Sequence, residues 1–160
     1  MYTPFENLPE DSKIWIYQSN RKFSDDEMTE IENDLKSFIE NWSAHGTGLE
    51  ASYLLKYNRF IILAVNQEVQ QATGCSIDSS VKLVKEIAAA LNVDFFDRLV
   101  IPYLQDNKIY LTKMFQFQDK LKAGELTQDT IVFNNLVDSK AKLESTWIVP
   151  VKESWHKQLL

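Results

Sequence analysis

Two kinds of hydrophobic spacing divide the first two thirds of the chain. Short runs of β-branched and aromatic residues alternate with longer segments in which apolar residues recur at helical spacing. The short runs predict strands over residues 13–18, 51–57, 59–66, 99–104 and 108–112. The longer segments predict amphipathic helices over residues 24–45 and 77–91.

The first helix has the most regular pattern. Its apolar face contains six residues at helical spacing: Met28, Ile31, Leu35, Phe38, Ile39 and Trp42. Ser24 and Glu27 have the spacing of a capping box, which predicts a helix start at Ser24. We expect the helix to end near His45 and Gly46, because glycine adopts the left-handed conformation after a last turn and histidine suits the negative end of the helix dipole.

The two strands after this helix predict a tight hairpin. Asn58 separates them, and asparagine tolerates positive φ. The second strand is a continuous apolar run from Phe60 to Val65, which predicts burial on both faces. A second hairpin turn is expected at residues 105–107.

The order strand, helix, strand, strand, helix, strand predicts an α+β fold with a ferredoxin-like βαββαβ core, in which the first and third strands are central. The strand at residues 108–112 is a seventh element. After it, the pattern predicts a short helix ending at Gly124, an apolar segment over 130–137, a helix over 138–144 and a tail with Trp147, Trp155 and His156. We expect the two tryptophans to pin this tail to the domain or to a second subunit. The expected organisation is one domain, residues 1–160, with a core over about 13–112 and a C-terminal extension over about 113–160.

Charge narrows the classes of partner. The chain has 17 basic and 23 acidic residues, a net charge of −6 and a pI near 4.9, so we expect no nucleic acid and no anionic membrane as partner. The whole excess lies in the first helix, which carries one base, Lys36, and seven acids: Asp25, Asp26, Glu27, Glu30, Glu32, Asp34 and Glu40. This acidic face is a solvated surface or a docking surface for a basic partner.

Targeting signals are not expected. The first eleven residues contain three acids and no base, unlike the start of a secretory signal. The longest apolar run has six residues, whereas a membrane span needs about 20. Cys75 is the only cysteine, which rules out an internal disulfide and every Cys-x-x-Cys motif. The expected compartment is the cytoplasm.

Several segments resemble a small family of uncharacterised bacterial proteins that often carry the inherited label "ABC transporter ATPase". The resemblance spans nearly the whole chain and is carried by WIYQSNRKF (15–23), GCSID (74–78), VFNNLV (132–137) and ESWH (153–156). None of these segments is a motif with a known mechanism. The family label implies ATP hydrolysis, but a P-loop needs a glycine directly before the lysine that contacts the phosphates, and no glycine of this chain precedes a lysine. We therefore reject a P-loop mechanism.

One candidate site combines the loops around His45 and Cys75. In a βαββαβ fold, the loop that enters the second strand and the loop that leaves the third lie at the same end of the sheet. Gly74, Cys75 and Ser76 lead into a helix N-terminus, whose free amides and dipole would bind an anion and favour an ionised thiol. Cys75 is then the nucleophile and His45 its base, with Asp78 and Ser79 as polar neighbours. The structural alternative is a buried Cys75, with Ser76 or Asp78 as the helix N-cap.

A second candidate site lies at the opposite end of the sheet. Asn20 and Arg21 precede the first helix, where an amide and a guanidinium beside free backbone N–H groups could bind a phosphate or carboxylate. The acids of the first turn would repel that anion, so the alternative is an ion pair between Arg21 and residues 25–27.

Neither a metal site nor a cofactor is expected. The two histidines, His45 and His156, lack the local spacing of a metal-binding pair. The leading hypothesis is therefore a noncatalytic binding or interaction module that uses an unknown protein partner or self-association. The alternative is a small enzyme with Cys75 as thiolate nucleophile and His45 as base.

Overall fold

The computed structural model describes residues 1–160 and contains four α-helices and nine strands in three antiparallel sheets. The chain divides into two compact units. The first unit comprises Met1–Phe96 with Asp138–Ala141, and the second comprises Asp97–Val137 with Lys142–Leu160. The predicted boundary between core and extension, near residue 112, lies within the second unit, whereas the observed division falls between Phe96 and Asp97.

The first unit contains five strands and two long helices. They are β1 (Lys13–Gln18), α1 (Asp25–Asn41), β2 (Ser43–Ala44), β3 (Thr47–Gly48), β4 (Ala51–Lys56), β5 (Phe60–Val65) and α2 (Gly74–Leu91). The predicted bounds of β1 are confirmed at both ends. Each end of β4 and of β5 lies within one residue of its predicted position. Residues of α1 and α2 such as Ile31, Leu35 and Val84 form one core with Leu63 and other residues of the sheet.

The main sheet of this unit has the order β1-β5-β4, with both pairings antiparallel. Every residue of β5 is buried, which confirms the prediction from its continuous apolar run. The tight turn before β5 is formed by Tyr57 and Asn58, which have φ of 55° and 53°. The loop contains three residues, since Lys56 pairs with Phe60, and the Arg59 N–H closes the turn by donating to the Lys56 carbonyl at 3.0 Å.

The ferredoxin-like expectation agrees with the structure in part. The mixed α and β class is observed, and β1, β4 and β5 have the relative order that the pattern requires. The fourth strand of that pattern does not join them, because Val100–Gln105 belongs to a sheet of the second unit. Strand β1 is therefore an edge strand rather than a central one. At its start, the Ile14 N–H donates a 3.1 Å hydrogen bond to the Asp138 carbonyl, so the segment Asp138–Ala141 covers part of that edge.

The predicted end of the first helix was wrong. Helix α1 ends at Asn41, and Trp42 already has an extended backbone with φ −75° and ψ 126°. His45 and Gly46, with φ of 52° and 75°, are the central residues of the β2–β3 hairpin. The glycine supplies positive φ, as predicted, but to a two-residue hairpin turn rather than to a helix terminus.

The predicted start of the second helix was also wrong. Helix α2 begins at Gly74, three residues before the predicted start, and its N-cap is Thr73 rather than Ser76 or Asp78. The Ser76 N–H donates to Thr73 Oγ1 at 3.3 Å, and the Thr73 N–H donates to Ser76 Oγ at 2.6 Å. These two bonds form a capping box in which serine stands where glutamate is usual.

The second unit has a four-stranded sheet with the order β7-β6-β8-β9. Its elements are β6 (Val100–Gln105), β7 (Lys108–Lys113), α3 (Met114–Lys122), β8 (Ile131–Phe133), β9 (Ile148–Pro150) and most of α4 (Lys140–Thr146). Trp147 packs against Phe133 with ring centroids 5.3 Å apart, and its Nε1 donates to Asn135 Oδ1 at 2.9 Å. This tryptophan pins the C-terminal region within its own unit. No helix in either unit has the length and apolar character needed to cross a bilayer.

Candidate functional site

An open groove of about 470 Å³ lies between α1 and α2 in the first unit. Its apolar lining consists of Phe38, Trp42 and Leu83, and its polar lining consists of Asp34, Ser37, Asn41, Ser43 and Ser79. This volume falls within the range of about 300 to 1,000 Å³ that is typical of small-molecule sites.

The groove is formed by two antiparallel helices that are connected near both ends. The Trp42 Nε1–H donates a 2.8 Å hydrogen bond to the Ser76 carbonyl, which joins the end of α1 to the start of α2. At the opposite ends, Nη2 of Arg21, just before α1, donates to the Leu91 carbonyl at 2.6 Å. These two contacts fix the position of the walls relative to each other.

Helical periodicity explains which side chains line the groove. Asp34, Phe38 and Asn41 lie three or four residues apart and share one face of α1. Ser79 and Leu83 have the same relation on α2. The serine and asparagine side chains are partly satisfied by their own helices, since Asn41 Nδ2 donates to the Ser37 carbonyl at 3.0 Å and Ser79 Oγ donates to the Cys75 carbonyl at 3.0 Å.

The aromatic side chains form one wall. The rings of Phe38 and Trp42 lie 5.0 Å apart at an angle of 41°, and Trp42 also meets Trp15 edge-on at 6.1 Å. Trp42 is nearly fully buried and Phe38 is half-buried. The wall is therefore supported from behind by the core and is held in a defined position.

The predicted nucleophile is exposed. Cys75 lies in the first turn of α2 as a free thiol. It precedes Ser79 by four residues and Leu83 by eight, so it lies on the same side of α2 as these two residues, one turn before the lining begins. The alternative of a buried cysteine is therefore wrong, because the first turn of α2 presents this position to solvent.

The loops predicted to meet at one end of the sheet do so. Ala51 of β4 pairs with Val65 of β5, which places the loop before β4 beside the loop after β5. The strand Ser43–Ala44 contacts α2, and His45 follows it at the exposed tip of the hairpin. Among the other residues of this site, Gly74 and Asp78 are exposed, whereas Ser76 is buried and its hydroxyl belongs to the capping box.

The groups of the second predicted site serve the fold. Arg21 forms a two-point ion pair with Glu27, with Nη1 to Oε1 and Nη2 to Oε2 both at 2.8 Å. Arg21 and a backbone bond from Ser24 lower the pKa of Glu27 to about 2. Asn20 exchanges two hydrogen bonds with Asp94, through Oδ1 and through its own N–H. The alternative of an ion pair with the first turn of the helix is therefore confirmed for Arg21.

The structure also shows a buried Ser–His pair that the sequence reasoning missed. In the second unit Ser154 Oγ lies 2.6 Å from Nδ1 of His156, whose ring stacks on Trp155 with centroids 3.9 Å apart. Ser154 and His156 are 5% and 1% exposed, so neither can contact a substrate. Burial lowers the pKa of His156 to about 4. The one sign of this pair in the sequence is the Ser-x-His spacing of Ser154 and His156. Elsewhere, no group of three or more His, Cys, Asp or Glu side chains is arranged to hold a metal ion.

Comparison with family models, with curated proteins and with solved structures found no match. The resemblance to an uncharacterised bacterial family therefore stays a prediction.

Proposed function

We propose that the chain is a noncatalytic binding module whose ligand lies in the groove between α1 and α2. The observation that carries the proposal is the groove itself, with an aromatic wall and a polar rim held between two connected helices. Ligand sites typically combine apolar walls with a few polar groups that orient the ligand. The lining contains neither Cys75 nor His45, the predicted nucleophile and base.

The proposal includes a ferredoxin-like relationship for the first unit and a cytoplasmic location. The order β1-β5-β4 under two helices supports a ferredoxin-like relationship for the first unit, and folds of that class host many binding functions. The single unpaired Cys75 supports the cytoplasm as compartment.

The experiment is a fragment screen followed by ¹H–¹⁵N correlation spectra of the whole chain. We expect ligands to shift the Trp42 indole signal and the amides of residues 34–43 and 79–83. Ser79→Leu narrows the groove and should abolish those shifts. Thr29→Leu is the matched control, because the Thr29 hydroxyl also donates to the carbonyl four residues earlier, at 3.2 Å, but lies on the opposite face of α1. Shifts that survive Ser79→Leu, or no binding in a broad screen, would overturn the groove as the site.

A second candidate function is thiol chemistry at Cys75. It is favoured by the exposure of the thiol on the helix face that leads into the groove. In this candidate His45 accepts the thiol proton and the sulfur adds to the carbonyl carbon of a ligand held beside Ser79. The C=O π bond breaks as the C–S bond forms, and the oxygen takes back the proton from His45. Alkylation by iodoacetamide tests it. The candidate requires that Cys75 react faster than a free small-molecule thiol at the same pH and that His45→Gly slow the reaction several-fold. A rate unchanged by His45→Gly removes His45 as the base.

A further inference from the structure

We propose that the groove between α1 and α2 selects an organic cation, an ammonium group carried on a flat apolar body. This inference rests on the proposed function and adds the chemical class of the ligand. It is derived from the charge of the lining, the charge of α1 beyond the lining, and the aromatic wall.

Asp34 is the only ionisable side chain that lines the groove. It is exposed and takes part in no ion pair, so its carboxylate charge is not neutralised by a neighbouring base. The four other polar side chains of the lining are neutral. An anionic ligand such as a phosphate or a carboxylate would find a negative charge and no basic side chain there, whereas an ammonium ion would find an acceptor.

The charge beyond the lining has the same sign. Glu30 lies one turn before Asp34, and a separation of four residues places both on the same face of α1. Seven acids and one base on this helix make its surroundings negative as a whole. On α2, the base Lys82 is followed four residues later by Glu86, so the second wall adds little net charge. A cation is therefore attracted before it reaches the groove.

The aromatic wall suits a flat body that bears a positive charge. The half-buried ring of Phe38 lines the groove together with Leu83, and the nearly buried ring of Trp42 supports Phe38 with its centroid 5.0 Å away. Ring faces attract cations, and the attraction grows as the cation loses water. An ammonium attached to a ring would place its charge at Asp34 while its body contacts Phe38.

Three compounds of similar size isolate the effect of ligand charge. Benzylammonium, benzyl alcohol and benzoate share one ring and carry positive, zero and negative charge at pH 7. We expect the Trp42 indole signal and its neighbouring amides to titrate about fivefold tighter with benzylammonium than with benzyl alcohol, and not with benzoate. The preference should shrink at high salt, since the groove is open to water.

Asp34→Asn should remove the preference for the ammonium and leave the affinity for benzyl alcohol unchanged. Asp11→Asn is the control, because it removes one exposed acid of the same unit outside the groove. If the alcohol binds as tightly as the ammonium in the unmodified chain, the cation preference is overturned while the groove remains a site. If none of the three binds and Ser79→Leu changes no fragment's binding, the proposed function itself is overturned. Loss of the preference in Asp11→Asn would show a general charge effect and would also overturn the assignment to Asp34.

Discussion

The indole N–H of Trp42 donates a 2.8 Å hydrogen bond to the carbonyl of Ser76, across from the end of one helix to the first turn of the next. Trp42 is 3% exposed, so this bond forms away from water. The contact between Arg21 and the Leu91 carbonyl closes the other end of the same helix pair. Two contacts far apart in sequence thus hold α1 and α2 at the spacing that leaves a groove between them.

Trp42→Phe should test the first of these contacts. The ring remains apolar, but the Nε1 donor is lost, so we expect a decrease of about 1 kcal/mol in the free energy of unfolding from the hydrogen bond, together with a cost for the smaller ring. Urea unfolding followed by circular dichroism measures it. Trp15→Phe is the matched control, because Trp15 packs edge-on against Trp42 and its indole N–H takes part in no hydrogen bond. An equal loss in both variants would contradict a role for the Ser76 contact. Fragment binding should weaken only in Trp42→Phe.

Glu27→Gln should change how stability depends on pH. The pKa of Glu27 is lowered to about 2 by Arg21 and by the Ser24 backbone, from an ordinary value of 4.5. A lowered carboxyl pKa means that the unfolded chain takes up the proton first. The stabilisation that the ionised Glu27 gives the folded chain is therefore complete above pH 4.5 and is lost as the pH falls toward 2.

The measurement is the urea midpoint between pH 3 and pH 6 in the unmodified chain and in Glu27→Gln. We expect the variant to have the smaller slope over this range. Glu30→Gln removes an exposed acid of the same helix that has no ion-pair partner, and it should keep the original slope. If both variants lose the same slope, the effect comes from the net charge of α1 rather than from the pair with Arg21.

Local patterns predicted the elements well, because each depends on residues close in sequence. The capping box of Ser24 and Glu27 set the start of α1, and Asn58 set the turn before β5. The pairing of strands depends on partners far apart in sequence. Nothing local to residues 100–105 distinguishes a fourth strand beside β1 from a strand in a separate sheet. The sequence pattern therefore could not show that this strand joins the sheet of the second unit.

The candidate site was harder to predict than the fold. Cys75 and His45 were chosen as chemically reactive residues, and the structure places one in the first turn of α2 and the other on a hairpin tip. The groove is lined instead by unreactive residues such as Ser37, Asn41 and Ser79. A pair of polar stripes beside the apolar faces of two helices is common in sequences, and only the packing of α1 on α2 turns them into one surface.

The hairpin tip offers a test of backbone conformation. Gly46 has φ of 75°, and the space where a Cβ would lie is empty, so Gly46→Ala should cost about 1 to 2 kcal/mol from conformational strain alone. His45 has φ of 52°, a conformation that glycine adopts without strain, so His45→Gly should leave the free energy of unfolding nearly unchanged. Thermal unfolding of both variants measures the difference. A large loss in His45→Gly would show that the imidazole makes a stabilising contact, and the variant would then no longer be a neutral test of the thiol chemistry.

The buried imidazole of the second unit should make stability sensitive to mild acid. Burial against Phe117 and Trp155 lowers the pKa of His156 to about 4, from an ordinary value of 6.5. Nδ1 of the neutral ring and Ser154 Oγ share a hydrogen bond of 2.6 Å, and a second ring proton would place a positive charge in this buried site. The unfolded chain therefore binds a proton between pH 6.5 and 4 while the folded chain does not. The contribution of His156 to the free energy of unfolding is therefore constant above pH 6.5. Between pH 6.5 and pH 4 it falls by about 3 kcal/mol, at about 1.4 kcal/mol per pKa unit.

His156→Gln removes the titrating group and should flatten this part of the profile while lowering stability at pH 7, since the stacked ring is lost. Ser154→Ala keeps the imidazole and its burial, so the dependence between pH 6.5 and 4 should persist. Urea unfolding of the three chains at pH 4, 5, 6 and 7 separates the two effects. The NMR titration of the His156 ring in the folded chain gives its pKa directly. A midpoint near 6.5 there would mean that water reaches the ring, and the acid sensitivity would then have to come from other groups.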